Sequence, residues 1–385
     1  MSPFDSPFDT TLERRPSGCV KWNRYAEDVL PMWVADMDFA VPPPILDAVQ
    51  ARLAHPVLGY GMAQTGLKAR IVAWLAQHYG WEVAPEAIIP MPGVVPGFNL
   101  ALRATCAPGA GVVVQTPVYP PMLAAAGHWD LRRVDAPLSS ADEPDLDALG
   151  RALAESGAGS AFLLCNPHNP TGRVFTRAEL TAMAGACVSA GATIIADEIH
   201  CDLLFDGRRH IPIGSLGPEV AARTITLMSA GKTFNIAGLN ACWAVVTDAA
   251  LRARFQRAIA GVADHANILG LVATEAALTH CEPWRQAVLA YLQANRDWLV
   301  QAVATRLPGV TMRVPEGTFL AWLDCRGSAA APDPQGFFLE RAGVAFNPGP
   351  DFGPPGAGFV RLNFGCPRAT LEEGIARMAR ALAQG

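Results

Sequence analysis

The chain has 385 residues, about half of them apolar, and a formal net charge of −5. That length suits two domains and that composition a soluble globule. No basic run stands out, which argues against nucleic acid or an anionic membrane surface as a partner, and no apolar stretch reaches the roughly 18–20 residues that span a bilayer.

The opening stretch, MSPFDSPFDTTLERRPSG, has no basic region followed by an apolar core, so a secretory signal is not expected and a cytoplasmic protein is. Residues 1–45, with prolines at 42–44, read as a segment packing on a small domain. An amphipathic helix is expected over 64–79. Short apolar runs then read as buried strands: GVVVQ (111–115), SAFLLC (160–165), ATIIAD (192–197), TITLMS (224–229) and ACWAVVT (241–247). Helical patterns at 96–106, 177–190 and 248–261 lie between them. That alternation predicts a mostly parallel sheet covered by helices. A long helical pattern over 274–307 carries Pro283 as a kink or break. Beyond it, strands are expected near TMRVPE, TFLAWLD and FVRLNF, with helices at 334–342 and 369–384. The division is therefore a large domain over 46–284 and a smaller α+β domain over 285–385.

Nine cysteines are scattered, with no CxxC pair, and most sit in apolar contexts. Buried free thiols are expected, with no metal site. Lysine is scarce: Lys21, Lys68 and Lys232 stand against 27 arginines.

Lys232 lies in SAGKTFNIAGLN (229–240), where Gly-Lys-Thr follows a strand. A phosphate-wrapping loop of the Gly-x4-Gly-Lys-Ser/Thr type needs a glycine at position 226, and Thr226 is there instead, inside the apparent strand. The other chemistry open to such a lysine is a Schiff base with pyridoxal 5'-phosphate. That cofactor needs a carboxylate at its pyridine nitrogen, a donor to its phenolic oxygen, a flat face against its ring and an anion pocket, clustered beyond the carboxyl ends of parallel strands. Asp197 ends an apolar run, where a carboxylate is costly unless paired. Asn166 and Asn169 follow another, in NPHNPTG; either amide can donate, and an ordinary Asn-Pro turn is the plainer explanation. Tyr119 follows GVVVQTPV, as a ring-face group or a core tyrosine. Gly93, Val94 and Val95 precede a helix, where free N–H groups suit a phosphate. Ser229 adds a hydroxyl. Arg361, inside FVRLNF, is either at an exposed edge or aimed at an anion such as an α-carboxylate.

NPHNPTG, ADEIHCDL, SAGKTFNIAGLN and VRLNFGCP, in that order and spacing, resemble the fold-type-I pyridoxal-phosphate enzymes of the aspartate aminotransferase superfamily. VKWNRY (20–25), PMWVADMDFAVPPPI (31–45), GYG (59–61), ADEIH and EGTFLAWLD (316–324) are similar to the MalY/PatB-type cystathionine β-lyases. The resemblance implies a seven-stranded sheet and α,β-elimination of L-cystathionine or related cysteine S-conjugates. It implies that Lys232 holds the cofactor and moves protons at Cα, Asp197 pairs with the pyridine nitrogen and Asn169, with Asn166 nearby, bonds the phenolic oxygen. Tyr119 would stack on the ring and act beside Lys232. Gly93, Val94 and Ser229 would hold the phosphate. Arg361 would bind the substrate carboxylate, helped by backbone near Ala35, and Tyr60 would reach the phosphate of a neighbouring subunit in a homodimer. His200 stands where many aminotransferases carry a tyrosine, and Asn240 where aspartate aminotransferases carry an arginine. The alternatives are an aminotransferase, which shares every step up to Cα proton removal, and a regulatory or binding protein of the same fold.

Overall fold

The computed structural model describes residues 6–62, 65–263 and 265–384. Its larger sheet has seven strands: β2 (Ile88–Met91), β3 (Gly111–Val114), β4 (Arg132–Asp135), β5 (Ala161–Cys165), β6 (Thr193–Asp197), β7 (Thr224–Met228) and β8 (Cys242–Val245), in the order β2-β8-β7-β6-β5-β3-β4. Neighbours from β4 through β7 pair in parallel. The run at 241–247 forms β8, antiparallel to both β7 and β2. Every residue of β3, β5 and β7 is buried, as expected of parallel strands covered on both faces.

Helices fill both faces. Leu149, Leu153, Leu180 and Met183, from the helices Leu146–Ser156 and Arg177–Ala190, pack on one face. Thr176 and Glu179 close a reciprocal capping box at the start of the second of these, fixing where it begins. Phe98, Leu102, Leu251 and Phe255 cover the other face. The helix Val94–Thr105 lies close to the sheet there: a Cβ at Gly97 would come within 2.8 Å of Leu227 Cδ2. That approach carries the N-terminus of the helix to the carboxyl ends of the central strands.

A second, antiparallel sheet has the order β12-β13-β10-β9, from β9 (Thr311–Met312), β10 (Leu320–Asp324), β12 (Asn347–Pro348) and β13 (Phe359–Asn363). It packs with the helices Glu282–Arg306 and Arg368–Ala383. Phe8, Met32, Met37 and Phe39 of the N-terminal segment enter the same core. Leu30–Pro31 (β1) pairs in parallel with Val344–Ala345 (β11), which fixes that segment to the smaller sheet.

The helix expected over 64–79 runs Thr65–Tyr79, and residue 64 lies outside the described residues. The long pattern at 274–307 is two helices, Ile268–His280 and Glu282–Arg306, and Pro283 sits in the first turn of the second, where its missing N–H costs nothing. Residues 334–342 make one α-turn, Pro334–Phe337, followed by a π-turn, Phe338–Ala342. Among the described residues no helix is long and apolar enough to cross a membrane.

Candidate active site

Lys232 sits in the short helix Ala230–Thr233 just past the end of β7. Its amine donates to the carbonyl of Ala35 at 2.6 Å. Asp197 is the last residue of β6 and is 4 % exposed; its Oδ1 accepts the N–H of Ile199 at 3.1 Å. Both line one cavity of about 480 Å³ between the two sheets. Ala35, Gly93, Val94, Val95, Tyr119, Asn169, His200, Ser229 and Arg361 line it too.

Charge in this cavity is unbalanced. Burial pushes the Asp197 carboxyl up to about 6, against the pull of the Ile199 N–H and Lys232, and no cation of the described residues pairs with it. Burial, with Arg361 nearby, brings the Lys232 amine down to about 8. Arg361 lies in the middle of β13. Its Nη1 donates to Asn169 Oδ1 at 2.9 Å, and its Nη2 to the Trp33 carbonyl at 2.9 Å and to Asn347 Oδ1 at 2.6 Å. All these partners are neutral, its Nε has none, and burial lowers the group to about 10. A guanidinium buried in this way is held ready for an anion.

The remaining groups fit a flat, anionic cofactor. The first N–H groups of the helix Val94–Thr105 border the cavity, and a helix start leaves such donors without intrahelical carbonyls. Asn169 spends its oxygen on Arg361, which leaves its amide NH₂ as the free end. Burial, then Lys232 and Arg361, depress His200 well below the usual imidazole range, so it is neutral, and its Nδ1 has no partner. Tyr119, at the start of the helix Pro120–Ala125, is raised by burial and by Asp197.

The structure places four of the expected groups as follows. Asn166 does not border the cavity: its Oδ1 accepts from Phe175 N–H at 3.0 Å, tying down the turn after β5. The Ser229 hydroxyl donates to the Ala241 carbonyl at 2.8 Å and accepts Gly231 N–H at 2.9 Å, so it caps its own short helix. The Ala35 carbonyl accepts from the lysine, so backbone help for a carboxylate there falls to an N–H group. Tyr60 is 97 % exposed, on a loop beside residues 265–269. Sequence reading did not find Asn347. It lies on a two-residue strand with no periodicity to signal it, and only its register opposite Arg361 brings it to the site. Among the described residues no cluster of His, Cys, Asp and Glu suits a metal ion.

The sequence profile of class I and II aminotransferases matches residues 27–378. The chain belongs to the class I and II aminotransferase family. Within this family it is similar to cystathionine β-lyase PatB of Bacillus subtilis, with 36 % identity over 97 % of this chain and 99 % of that protein. It is also similar to protein MalY of Escherichia coli, with 32 % identity over 97 % and 98 %. Cystalysin from Treponema denticola, whose crystal structure contains pyridoxal 5'-phosphate, superposes with a TM-score of 0.92 at 29 % identity, over 98 % of each chain.

Proposed function

We propose that this member of the aminotransferase family is a pyridoxal-phosphate-dependent carbon–sulfur β-lyase. It acts on L-cystathionine or a related S-substituted cysteine and, with water, gives a thiol, pyruvate and ammonia. One observation carries the cofactor and substrate class. A single cavity holds an amine brought down to about 8, a buried carboxylate without a cation and a buried guanidinium without an anion. The choice of elimination rests on the likeness to proteins named cystathionine β-lyase across nearly the whole chain.

In this reading Lys232 anchors the cofactor and Asp197 pairs with its ring nitrogen, which removes the cost of that buried carboxyl. The free amide of Asn169 donates to the phenolic oxygen, with neutral His200 alongside. Tyr119 lies against the ring face. The N–H groups of Val94 and Val95, after Gly93, hold the phosphate. Ser229 keeps its hydroxyl on Ala241 and contributes by fixing the lysine's turn, and Asn166 by fixing the turn that carries Asn169. Bound there, pyridoxal phosphate supplies an electron sink for the charge that develops at the substrate's Cα.

The chain's own residues do the rest. Arg361 takes the α-carboxylate and turns the Cα–H bond toward Lys232. The neutral amine removes that proton, a task for which a basicity near working pH is best. The Cβ–S bond then breaks and the sulfur leaves with its electron pair. Tyr60, exposed beside Val57, Leu58 and Met62, forms part of a contact with a second copy of the chain and reaches into that copy's cavity, so the working unit is a homodimer.

The test is pyruvate release from L-cystathionine or S-benzyl-L-cysteine by the purified, cofactor-loaded protein without added keto acid. Product that forms only when a keto acid is supplied would replace the lyase reading with a transaminase.

A further inference from the structure

Lys21 is one of the three lysines, is 1 % exposed, and takes no part in the chemistry above. Its amine lies 2.7 Å from Asp38 Oδ2 and 3.5 Å from Asp36 Oδ1, and donates to the Asp36 carbonyl at 3.3 Å. Arg14 completes the cluster, 2.8 Å from Asp36 Oδ2 and in contact with Asp38. Burial would raise the Asp36 carboxyl, but the bond from Arg14 and the nearby charge of Lys21 hold it below the usual range. Two carboxylates of one short strap are thus paired with two cations from outside it.

That strap, residues 33–38, lies across the active site. The Trp33 carbonyl accepts from Arg361 and the Ala35 carbonyl from Lys232. Asn363 Nδ2 bridges the carbonyls of Val34 and Asp36, each at 2.6 Å, on either side of Ala35. Asn235, three residues past Lys232, bonds both the N–H and the carbonyl of Met37. Removing one member of a buried charge cluster leaves the others uncompensated, so the strap is held in one place.

We propose that Lys21 is a positioning residue for catalysis: through Asp36, Asp38 and the amide of Asn363 it fixes the Ala35 carbonyl as the dock that aims the free amine of Lys232 at the substrate's Cα. This rests on Lys232 being the base that acts at Cα, and holds under elimination or transamination alike. The dock serves whenever the amine is not bound to the cofactor. A carbonyl acceptor 2.6 Å away orients one N–H and leaves the nitrogen lone pair aimed elsewhere. A shift of that carbonyl by about an ångström misdirects the lone pair, and misplacements of that size cost up to about 10²-fold in rate.

The test uses Lys21→Met and Asn363→Ser; the second variant spares the buried ion cluster, so a folding defect in the first leaves the second to decide. In heavy water the loaded protein exchanges the Cα hydrogen of L-alanine, which has no leaving group. The exchange is followed by proton NMR, and cofactor loading by absorbance. At saturating L-alanine the exchange rate falls about tenfold or more in the variants, while the half-saturating concentration stays within about twofold. Lys21→Met/Asp38→Asn falls no further than Lys21→Met, because both act through one cluster. In the cofactor-free Asn363→Ser protein, acetylation of Lys232 by acetic anhydride rises severalfold relative to Lys68. Wild-type exchange in a loaded variant, an unchanged labelling ratio, or a defect confined to cofactor loading in both variants overturns the proposal. Wild-type protein that exchanges L-alanine but releases no pyruvate from cystathionine sinks the lyase reading alone.

Discussion

Arg361 and Asn169 join the two sheets through one hydrogen bond of 2.9 Å, from the middle of β13 to the turn beyond β5. The fork of the guanidinium divides its work: one nitrogen holds the asparagine, and the other is tied to Asn347 and Trp33. Lysine has the charge but not the fork. Arg361→Lys is expected to lower kcat/KM for an S-substituted cysteine roughly 10²-fold, mostly through KM, since one charge-assisted bond is worth about 1.5–3 kcal/mol. Steady-state kinetics checks this, and a variant with unchanged KM would remove Arg361 from carboxylate binding.

Asp197 gives a prediction with opposite signs in two states. A carboxyl raised from 3.8 to about 6 favours the folded, cofactor-free protein fully below pH 4. The contribution is lost as pH rises through about 6, a difference on the order of 3 kcal/mol. Asp197→Asn is therefore expected to raise the Tm of the cofactor-free protein at pH 7.5 and to weaken cofactor binding roughly 10²-fold, by the charge pair it removes. Thermal melts with and without cofactor read both effects. A lower Tm in the cofactor-free variant would count against the buried, unpaired carboxylate.

Much of this site could be read from the sequence because its groups end apolar runs. Asp197 closes TIIAD, and Asn169 and Lys232 follow AFLLC and TITLM by a few residues. What could not be read lacked a run of its own. Strand β2 carries Pro90, and β4 is a half-exposed edge with two arginines, so neither shows the apolar pattern of its neighbours. An apolar run has no direction, which is why β8 gave no sign of being antiparallel. Asn347 reaches the site only through strand register. Ser229 carried the right chemical group, but backbone claims its hydroxyl, and Asn166 is tied by its oxygen to Phe175 N–H.

The Lys232 amine, at about 8 instead of 10.5, sets how the protein takes up its cofactor. Only the neutral amine attacks an aldehyde. The rate of capture by cofactor-free protein is expected to climb about tenfold per pH unit below 8 and to level above it. The same depression makes the folded state gain stability from about pH 8 to 10.5, where the unfolded chain still holds the proton. Stopped-flow absorbance at constant ionic strength measures the first. A rate still rising at pH 10 would mean an unperturbed lysine.

Tyr60 does not line the cavity of its own chain and is 97 % exposed. If it serves the partner's site, Tyr60→Ala and Lys232→Ala homodimers should each be impaired. Mixing them under conditions that exchange subunits should restore activity, because one of the two sites in a hybrid then carries neither change. Sedimentation should give a dimer. No recovery in demonstrated hybrids would confine Tyr60 to its own chain.

All nine cysteines are free thiols, and seven of them are buried. Burial raises those seven above their ordinary range, so they are poor nucleophiles at neutral pH. A catalyst that liberates a sulfhydryl compound at every turnover bathes itself in a reductant. This scaffold contains no crosslink for that reductant to open.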